Sequence, residues 1–238
     1  MEGKQKVIVP DKVEEKSAVD KLSDFIGKHK PLFIAVAGVI AAALLFIGVF
    51  SIVSNSVTNS SARAMELART KITTYSAETD TTKKADLEKA LIADFDSIAK
   101  KWPASFAAQE ALYSEASLYA SKKEWANAEK AALSAAGKLP RTYLAPFALE
   151  LAAIASEEQG KPDAAMDTYS RLIAQYKTDT PNIPHAYFSL ARLKEGKSDW
   201  KGALENYDKL VSSYPDSDWA KLAKDRQIFL KSKGYNKK

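Results

Sequence analysis

The pattern of apolar and polar residues changes character after the first quarter of the chain. Residues 32–53 form an apolar run without a single charged side chain. As a helix that rises about 1.5 Å per residue, this run is about 33 Å long, enough to cross a hydrocarbon core of about 30 Å. Beyond it, apolar residues recur at the three- and four-residue spacing of helices with one buried face. The pattern predicts an all-α protein with one transmembrane helix followed by helices that pack on one another.

Basic residues on either side of the apolar run indicate its orientation. The twenty residues before it contain Lys12, Lys16, Lys21, Lys28 and Lys30. After the run, the first basic residue is Arg63. Because cytoplasmic flanks are enriched in Lys and Arg, we expect residues 1–31 to be a cytoplasmic tail and the bulk of the chain to be extracytoplasmic. A cleaved signal peptide, the competing interpretation, is disfavoured because its apolar stretch is usually only about 7–15 residues.

The tail contains a second apolar pattern just before the span. Val19, Leu22, Phe25 and Ile26 share one face of a helix, and Ser17 is suited to cap the N-terminus of that helix. This segment either lies on the inner leaflet as an amphipathic helix or continues directly into the span. The sequence leaves both interpretations open.

The remainder of the chain repeats itself at a nearly constant interval. Three segments align with one another, namely residues 125–140, 162–177 and 200–215. Their equivalent alanines, at intervals of 37 and 38 residues, are Ala128, Ala165 and Ala203. A weaker copy lies upstream, where Leu91 and Phe95 take the places of Ala203 and Tyr207. Each unit contains two helical patterns that cannot bury their apolar faces alone, so the four units predict a stacked helical solenoid.

These units resemble the tetratricopeptide repeat, a 34-residue pair of antiparallel helices with small residues at positions 8 and 20. Counted from Gln109, Pro146 and Pro184, three units have alanine at both positions. They depart from the family at position 4, where Leu112, Leu149 and Tyr187 replace the usual Trp. We call them the first, middle and last units.

The resemblance implies the following organisation of the chain. A linker at 54–61 precedes a tetratricopeptide-repeat-like domain at 62–234, and a basic tail occupies 235–238. Within the domain we expect a degenerate unit, the three clear units and a C-terminal capping helix, at about 62–103, 109–140, 146–177, 184–215 and 216–233.

The residue types present argue against an enzyme. The chain has no Cys and only two histidines, His29 and His185. Gly196-Lys197-Ser198 lacks the earlier glycine of a phosphate-binding loop, because Ala191 stands at that position. We therefore expect no catalytic residue, no cofactor, no metal site and no small-molecule substrate.

The distribution of charge argues against a nucleic-acid partner. The formal net charge is +5, yet residues 62–220 contain 21 basic and 23 acidic side chains. Residues 221–238 contain seven basic and one acidic side chain, so the excess is a C-terminal feature. A local basic cluster is compatible with an acidic partner, anionic lipid or a role in solubility.

The repeat resemblance also implies a protein-binding groove, lined by positions 2, 5, 9 and 12 of the first helix of each unit. We predict contacts to a protein or peptide from Glu110, Tyr113, Phe147, Glu150, Ile154, His185, Phe188 and Arg192. The remaining groove positions hold Ser117, Ala120, Glu157 and Glu195. The alternative is that the aromatic residues hold the stack of repeats together.

The whole layout resembles the ancillary Sec-translocon subunit family of bacterial inner membranes. That resemblance implies a single-pass inner-membrane protein whose periplasmic repeats engage translocon components, translocated segments or periplasmic chaperones. The alternative function is an envelope organiser that binds the proteins of a division, wall-synthesis or outer-membrane-assembly complex.

Overall fold

The computed structural model describes residues 17–177 and 180–235, and throughout these ranges the regular secondary structure is helical, with no strand. The predicted all-α fold is confirmed. Lys12 and Lys16 of the predicted tail, and residues 236–238 of the predicted basic tail, lie outside the described residues. The helices are α1 (Ala18–Lys28), α2 (Lys30–Ala77), α3 (Thr81–Lys101), α4 (Phe106–Ser121), α5 (Trp125–Lys138), α6 (Leu144–Glu158), α7 (Pro162–Tyr176), α8 (Ile183–Gly196), α9 (Trp200–Ser213) and α10 (Asp218–Ser232).

The chain divides into two compact units, Met1–Asn55 and Ser56–Lys238. The described part of the first contains α1 and the apolar portion of α2, whose large apolar side chains are exposed along residues 32–53. By length and composition α2 is a candidate membrane span. Residues 54–61, which we assigned to a linker, are helical and belong to α2.

The second compact unit consists of helices packed in pairs. Helices α4 and α5, α6 and α7, and α8 and α9 pack together within the three clear units, and α10 packs on α8 and α9. The alanines at positions 8 and 20 of these units are fully buried, which lets the paired helices approach closely; they are Ala116, Ala128, Ala153, Ala165, Ala191 and Ala203. Upstream, Met65 of α2 packs with Leu91 and Phe95 of α3 and with Ala107 of α4.

The two helices of each unit are joined by the same turn. Position 15 has a left-handed backbone in all three units, with φ of 61° at Lys123, 69° at Gly160 and 61° at Ser198. In each turn the next residue donates its backbone N–H to a carbonyl five positions earlier, a standard way to end a helix. The tripeptide Gly196-Lys197-Ser198 belongs to this turn between two helices.

Candidate protein-binding surface

The predicted groove positions form a row along α4, α6 and α8, which we call the inner row. In this row, position 5 of one unit faces position 2 of the next. His185 Nδ1 lies 2.5 Å from Glu150 Oε1, and Asn182 donates a hydrogen bond of 3.1 Å to Glu150 Oε2. The same relation places Arg69 of α2 on Glu110, with Arg69 Nε and Nη2 at 2.7 and 2.5 Å from the two carboxylate oxygens.

A second contact recurs seven residues further along the inner row. Glu157 accepts a hydrogen bond of 2.9 Å from the hydroxyl of Tyr169 and pairs with Arg192 of the next unit. Burial raises the pKa of Tyr169, and the neighbouring Glu157 carboxylate raises it further, so the hydroxyl stays protonated and donates. Positions 12, 24 and 9 therefore form a Glu–Tyr–Arg bridge between the middle and last units.

An equivalent Glu–Tyr–Arg bridge joins the last unit to α10. Glu195 accepts hydrogen bonds from the Tyr207 hydroxyl at 2.6 Å and from Arg226 Nε at 3.2 Å. The Glu195 side chain is only 8% exposed, and the Arg226 guanidinium balances its charge. Burial raises the pKa of Tyr207 as well, with Glu195 as a further cause.

Several of the predicted groove residues make these contacts with other residues of the same chain. Glu150 and His185 bind each other, Arg192 binds Glu157, and the ring of Phe188 lies 5.2 Å from that of Trp219 and 5.7 Å from that of Tyr207. The arrangement supports the alternative raised from the sequence, that the inner row holds the repeats together. Partner contacts by these residues stay a prediction.

Helix α10 continues the inner row beyond the last unit. Counted from Asp218, its positions 2, 5, 9 and 12 are Trp219, Leu222, Arg226 and Phe229. Trp219 contacts Phe188 and Arg226 contacts Glu195, which are the contacts expected of positions 2 and 9 in a following unit. The sequence predicted only a capping helix here, although Trp219 follows His185 at the family's own spacing of 34 residues.

Two apolar side chains of α10 remain uncovered on this row. Leu222 is 47% exposed and Phe229 is 45% exposed. The guanidinium carbon of Arg226 lies 4.8 Å from the centre of the Phe229 ring, and Lys233 Nζ lies 5.8 Å from it. We call these four residues the C-terminal patch. It presents apolar surface beside positive charge.

The other end of the inner row contains a depression of about 290 Å³ between α2, α3 and α4. It is called the N-terminal depression, and its lining residues are Ile72, Tyr75, Ser76, Leu91, Phe95, Tyr113, Ser114, Ser117, Leu118 and Ser121. Of the predicted groove residues, Tyr113 lies here, half-buried, and burial raises the pKa of its hydroxyl. Phe147 and Ile154 are half-buried on α6, farther along the row.

The depression coincides with a missing Glu–Tyr–Arg bridge. Ser76 lies seven residues after Arg69, which is also the spacing from Glu150 to Glu157, so Ser76 corresponds to the bridge glutamate. Ser117 lies seven residues after Glu110, which is also the spacing from His185 to Arg192, so Ser117 corresponds to the bridge arginine. Phe95 takes the place of the tyrosine, so this boundary has two serines and a phenylalanine where the last two boundaries have the bridge. All three residues line the depression. The side chains that fill the inner row from α6 to α10 are absent at this boundary.

The buried carboxyl group of the first unit has a different environment from those in the bridges. Glu115 is 9% exposed, and burial raises its pKa, with Asp96 as a further cause. Tyr119 is hydrogen-bonded to it. Across the part of the chain that the structure describes, no three His, Cys, Asp or Glu side chains are grouped so that they could hold a metal ion.

Two of the helix pairs match the model of a known repeat family. The family model of the tetratricopeptide repeat matches residues 147–179 and 185–217, which contain α6–α7 and α8–α9. These two segments therefore match the tetratricopeptide repeat. This confirms the repeat type predicted for the middle and last units.

A TPR repeat-containing protein is similar to this chain in sequence. The chain is 31% identical over 144 residues to a TPR repeat-containing protein of Treponema pallidum (strain Nichols), in an alignment that covers 60% of this chain and 59% of the relative. The chain therefore spans less than two thirds of that relative's length.

Two solved structures were compared with this chain. The crystal structure of MamA protein superimposes with a TM-score of 0.50 at 18% identity, covering 74% of this chain and 88% of MamA. The Arabidopsis OM64 TPR domain gives a TM-score of 0.42 at 17% identity, over 50% of this chain and 93% of the domain. At this level of identity the likeness to MamA concerns the fold alone.

Proposed function

We propose that this protein is a membrane-anchored scaffold that binds partner proteins at the two open ends of its inner row. The observation that carries the proposal is the contrast along that row. Glu–Tyr–Arg bridges fill it from α6 to α10, whereas serines line the N-terminal depression at the equivalent positions. Tetratricopeptide repeats are protein-interaction modules, and no covalent chemistry is required of them.

The N-terminal depression is suited to an apolar side chain of a bound peptide. Leu91 and Phe95 contribute a buried apolar surface, and Tyr75 and Tyr113 add aromatic surface around it. The hydroxyls of Ser76, Ser117 and Ser121 donate to carbonyls of their own helices, so their oxygens can accept hydrogen bonds from a peptide N–H. A concave, mainly apolar site with a few polar groups is the usual form of a binding pocket.

The C-terminal patch is suited to a different part of a partner. Leu222 and Phe229 offer apolar contact, while Arg226 and Lys233 bring positive charge to the same surface. A partner segment that combines an apolar side chain with a carboxylate would satisfy both features. The two ends therefore differ in charge and favour different segments of a partner.

The proposed location is the inner membrane, with α2 as a single span, the N-terminus in the cytoplasm and the repeats on the periplasmic side. The apolar run of α2 and the lysines before it support this orientation. Anchoring would raise the effective concentration of the repeats for partners at the membrane.

The layout supports a role beside the Sec translocon, where the repeats would hold emerging segments or chaperones. The alternative is an organiser of an envelope-assembly complex. Both roles use the same two binding ends, so the identity of the partner distinguishes them.

Site-specific photo-crosslinking in native membranes tests the proposal. Probes are placed at Ser117 in the N-terminal depression and at Phe229 in the C-terminal patch, with a control at Lys209, which is exposed on α9 away from the inner row. We expect protein adducts at the first two positions and none at Lys209. Equal labelling at all three positions would contradict the proposal, and the adducts' identity separates translocon from envelope assembly.

A further inference from the structure

Helix α1 has a capped N-terminus and is set off from α2 by one residue, His29. The Ser17 hydroxyl accepts a hydrogen bond of 3.2 Å from the N–H of Val19, and the Asp20 carboxylate accepts one of 3.2 Å from the N–H of Ser17. This reciprocal capping box defines the N-terminus of α1. At its other end His29, with φ of −107° and ψ of 16°, departs from helical dihedral angles before α2 begins, while its N–H still donates to the Phe25 carbonyl and its carbonyl accepts from Phe33 N–H.

One face of α1 consists of exposed apolar side chains. Val19, Leu22, Phe25 and Ile26 are 73%, 58%, 54% and 46% exposed. At about 100° per residue these four side chains fall within an arc of about 120°, the width of a face that is normally buried. We call this face the apolar arc. Lys21 and Lys28, which are seven residues apart, point in nearly the same direction beyond one edge of this arc.

The apolar arc is not needed to complete the candidate span. Residues 32–53 already provide about 33 Å of apolar helix, as long as the hydrocarbon core is thick. If α1 continued along the membrane normal, its four apolar side chains would stand in water beside the headgroups. If the helix lies flat at the interface instead, acyl chains cover these four side chains and the polar side of the helix stays in contact with water.

We propose that α1 lies in the headgroup region of the lipid bilayer, with its apolar arc toward the acyl chains and its lysines at the level of the lipid phosphates. The inference rests on the proposed anchoring through α2. Residues 18–30 contain Lys21, Lys28 and Lys30 against two acidic residues. Because this net charge is small, insertion of the arc carries most of the attachment, and anionic lipid strengthens it only modestly.

Cysteine scanning of the full-length chain tests this orientation, since the natural sequence has no Cys. Single substitutions Leu22→Cys and Ile26→Cys report on the arc, and their neighbours Ser23→Cys and Gly27→Cys report on the other side at the same depth along the helix. Each variant is labelled with an environment-sensitive fluorophore and reconstituted into vesicles of equal parts phosphatidylcholine and phosphatidylglycerol. We expect severalfold weaker quenching by aqueous iodide at positions 22 and 26 than at 23 and 27.

The pattern of accessibility distinguishes α1 on the membrane from its alternatives. Equal quenching within each neighbouring pair, with a steady change from 22 to 26, would mean that α1 continues into the span and would overturn the proposal. Protection of the arc that disappears as the protein is diluted in lipid would assign the face to a second copy of this helix, which also overturns it.

A label at Leu44→Cys, midway along the apolar run, separates failure of α1 from failure of the anchor. A protected position 44 with an accessible arc overturns the interfacial helix alone. An accessible position 44 overturns both the anchor and the helix. In vesicles of phosphatidylcholine only, we expect the arc to remain protected, because its attachment depends mainly on apolar burial.

Discussion

Two boundaries of the repeat array have different side chains at equivalent positions of the inner row. Between the middle and last units, Glu157, Tyr169 and Arg192 form a hydrogen-bonded bridge across the inner row. Between α2 and α4 the equivalent positions hold Ser76, Phe95 and Ser117, and a depression takes the place of the bridge. The two boundaries thus differ in the three side chains that form the bridge at one of them and line the depression at the other.

The boundary between the first and middle units shows a third solution. Its equivalent positions hold Ala120, Ala132 and Ile154, and Ala132 is fully buried. The surrounding core is built largely of alanine, from Ala116, Ala131, Ala132 and Ala152. Close helix packing replaces both the tyrosine and the ion pair at this boundary. The array combines one alanine-packed boundary with two bridged ones.

The largest effect is expected from removing a bridge tyrosine. Tyr169→Ala should lower the free energy of unfolding by about 3–5 kcal/mol, because it leaves a cavity the size of an aromatic ring in the core. Denaturant unfolding of the detergent-solubilised chain measures the change. Tyr143→Ala is the control, since Tyr143 is 71% exposed and its removal should change stability by less than about 0.5 kcal/mol. Similar losses in the two variants would mean that Tyr169 is not a core residue.

A smaller loss is expected from neutralising the carboxylate of the second bridge. Glu195→Gln should cost about 1–3 kcal/mol, because Arg226 and Tyr207 lose a charged acceptor in a buried position. The same unfolding experiment measures it. Glu66→Gln is the matched control, because the Glu66 side chain is 67% exposed in its pair with Arg69. Equal effects would show that the bridge contributes no more than a surface ion pair.

The repeat framework could be predicted from the sequence for a clear physical reason. Small residues such as Ala165 and Ala203 recur at the closest contacts between helices, so packing leaves a periodic record in the chain. The inner-row bridges leave no comparable record. Glu157 and Arg192 are 35 residues apart, and their contact depends on how one unit is placed on the next, which composition and spacing do not specify.

Two further features could not be predicted from the sequence, for related reasons. The continuation of the inner row onto α10 was hidden because Asp225 stands at position 8, where the other units have alanine. The N-terminal depression was hidden because part of its wall, Ile72 and Tyr75, comes from the C-terminal part of α2, which has no repeat signature. Sites formed by irregular units thus require the structure.

The comparison of boundaries can be sharpened by transferring the bridge. The double substitution Ser76→Glu with Ser117→Arg should place an ion pair across the N-terminal depression and fill it. A double-mutant cycle in denaturant should give a favourable coupling of about 0.5–1 kcal/mol, as for a partly exposed pair. Photo-adducts from a probe at Tyr113 should fall, while those from Phe229 stay unchanged. A coupling near zero with undiminished adducts at Tyr113 would show that the two boundaries are not interchangeable.

The smallest expected effect concerns the buried carboxyl group of the first unit. Glu195 faces an arginine, whereas burial and Asp96 raise the pKa of Glu115, so the folded chain favours its protonated form. The stability linked to Glu115 is therefore full below the ordinary carboxyl pKa and is lost as pH rises through the raised value. Glu115→Gln should accordingly stabilise the chain at pH 7, with a gain that vanishes in acid.

Unfolding of Glu115→Gln at several pH values measures this difference. Glu195→Gln is the matched comparison, because the same chemical change removes a carboxylate that an arginine stabilises, and it should destabilise at pH 7. Opposite signs for the two variants would follow from their surroundings, since both side chains are similarly buried. A loss of stability in both at neutral pH would mean that Lys100 and Lys130 compensate Glu115 as fully as Arg226 compensates Glu195.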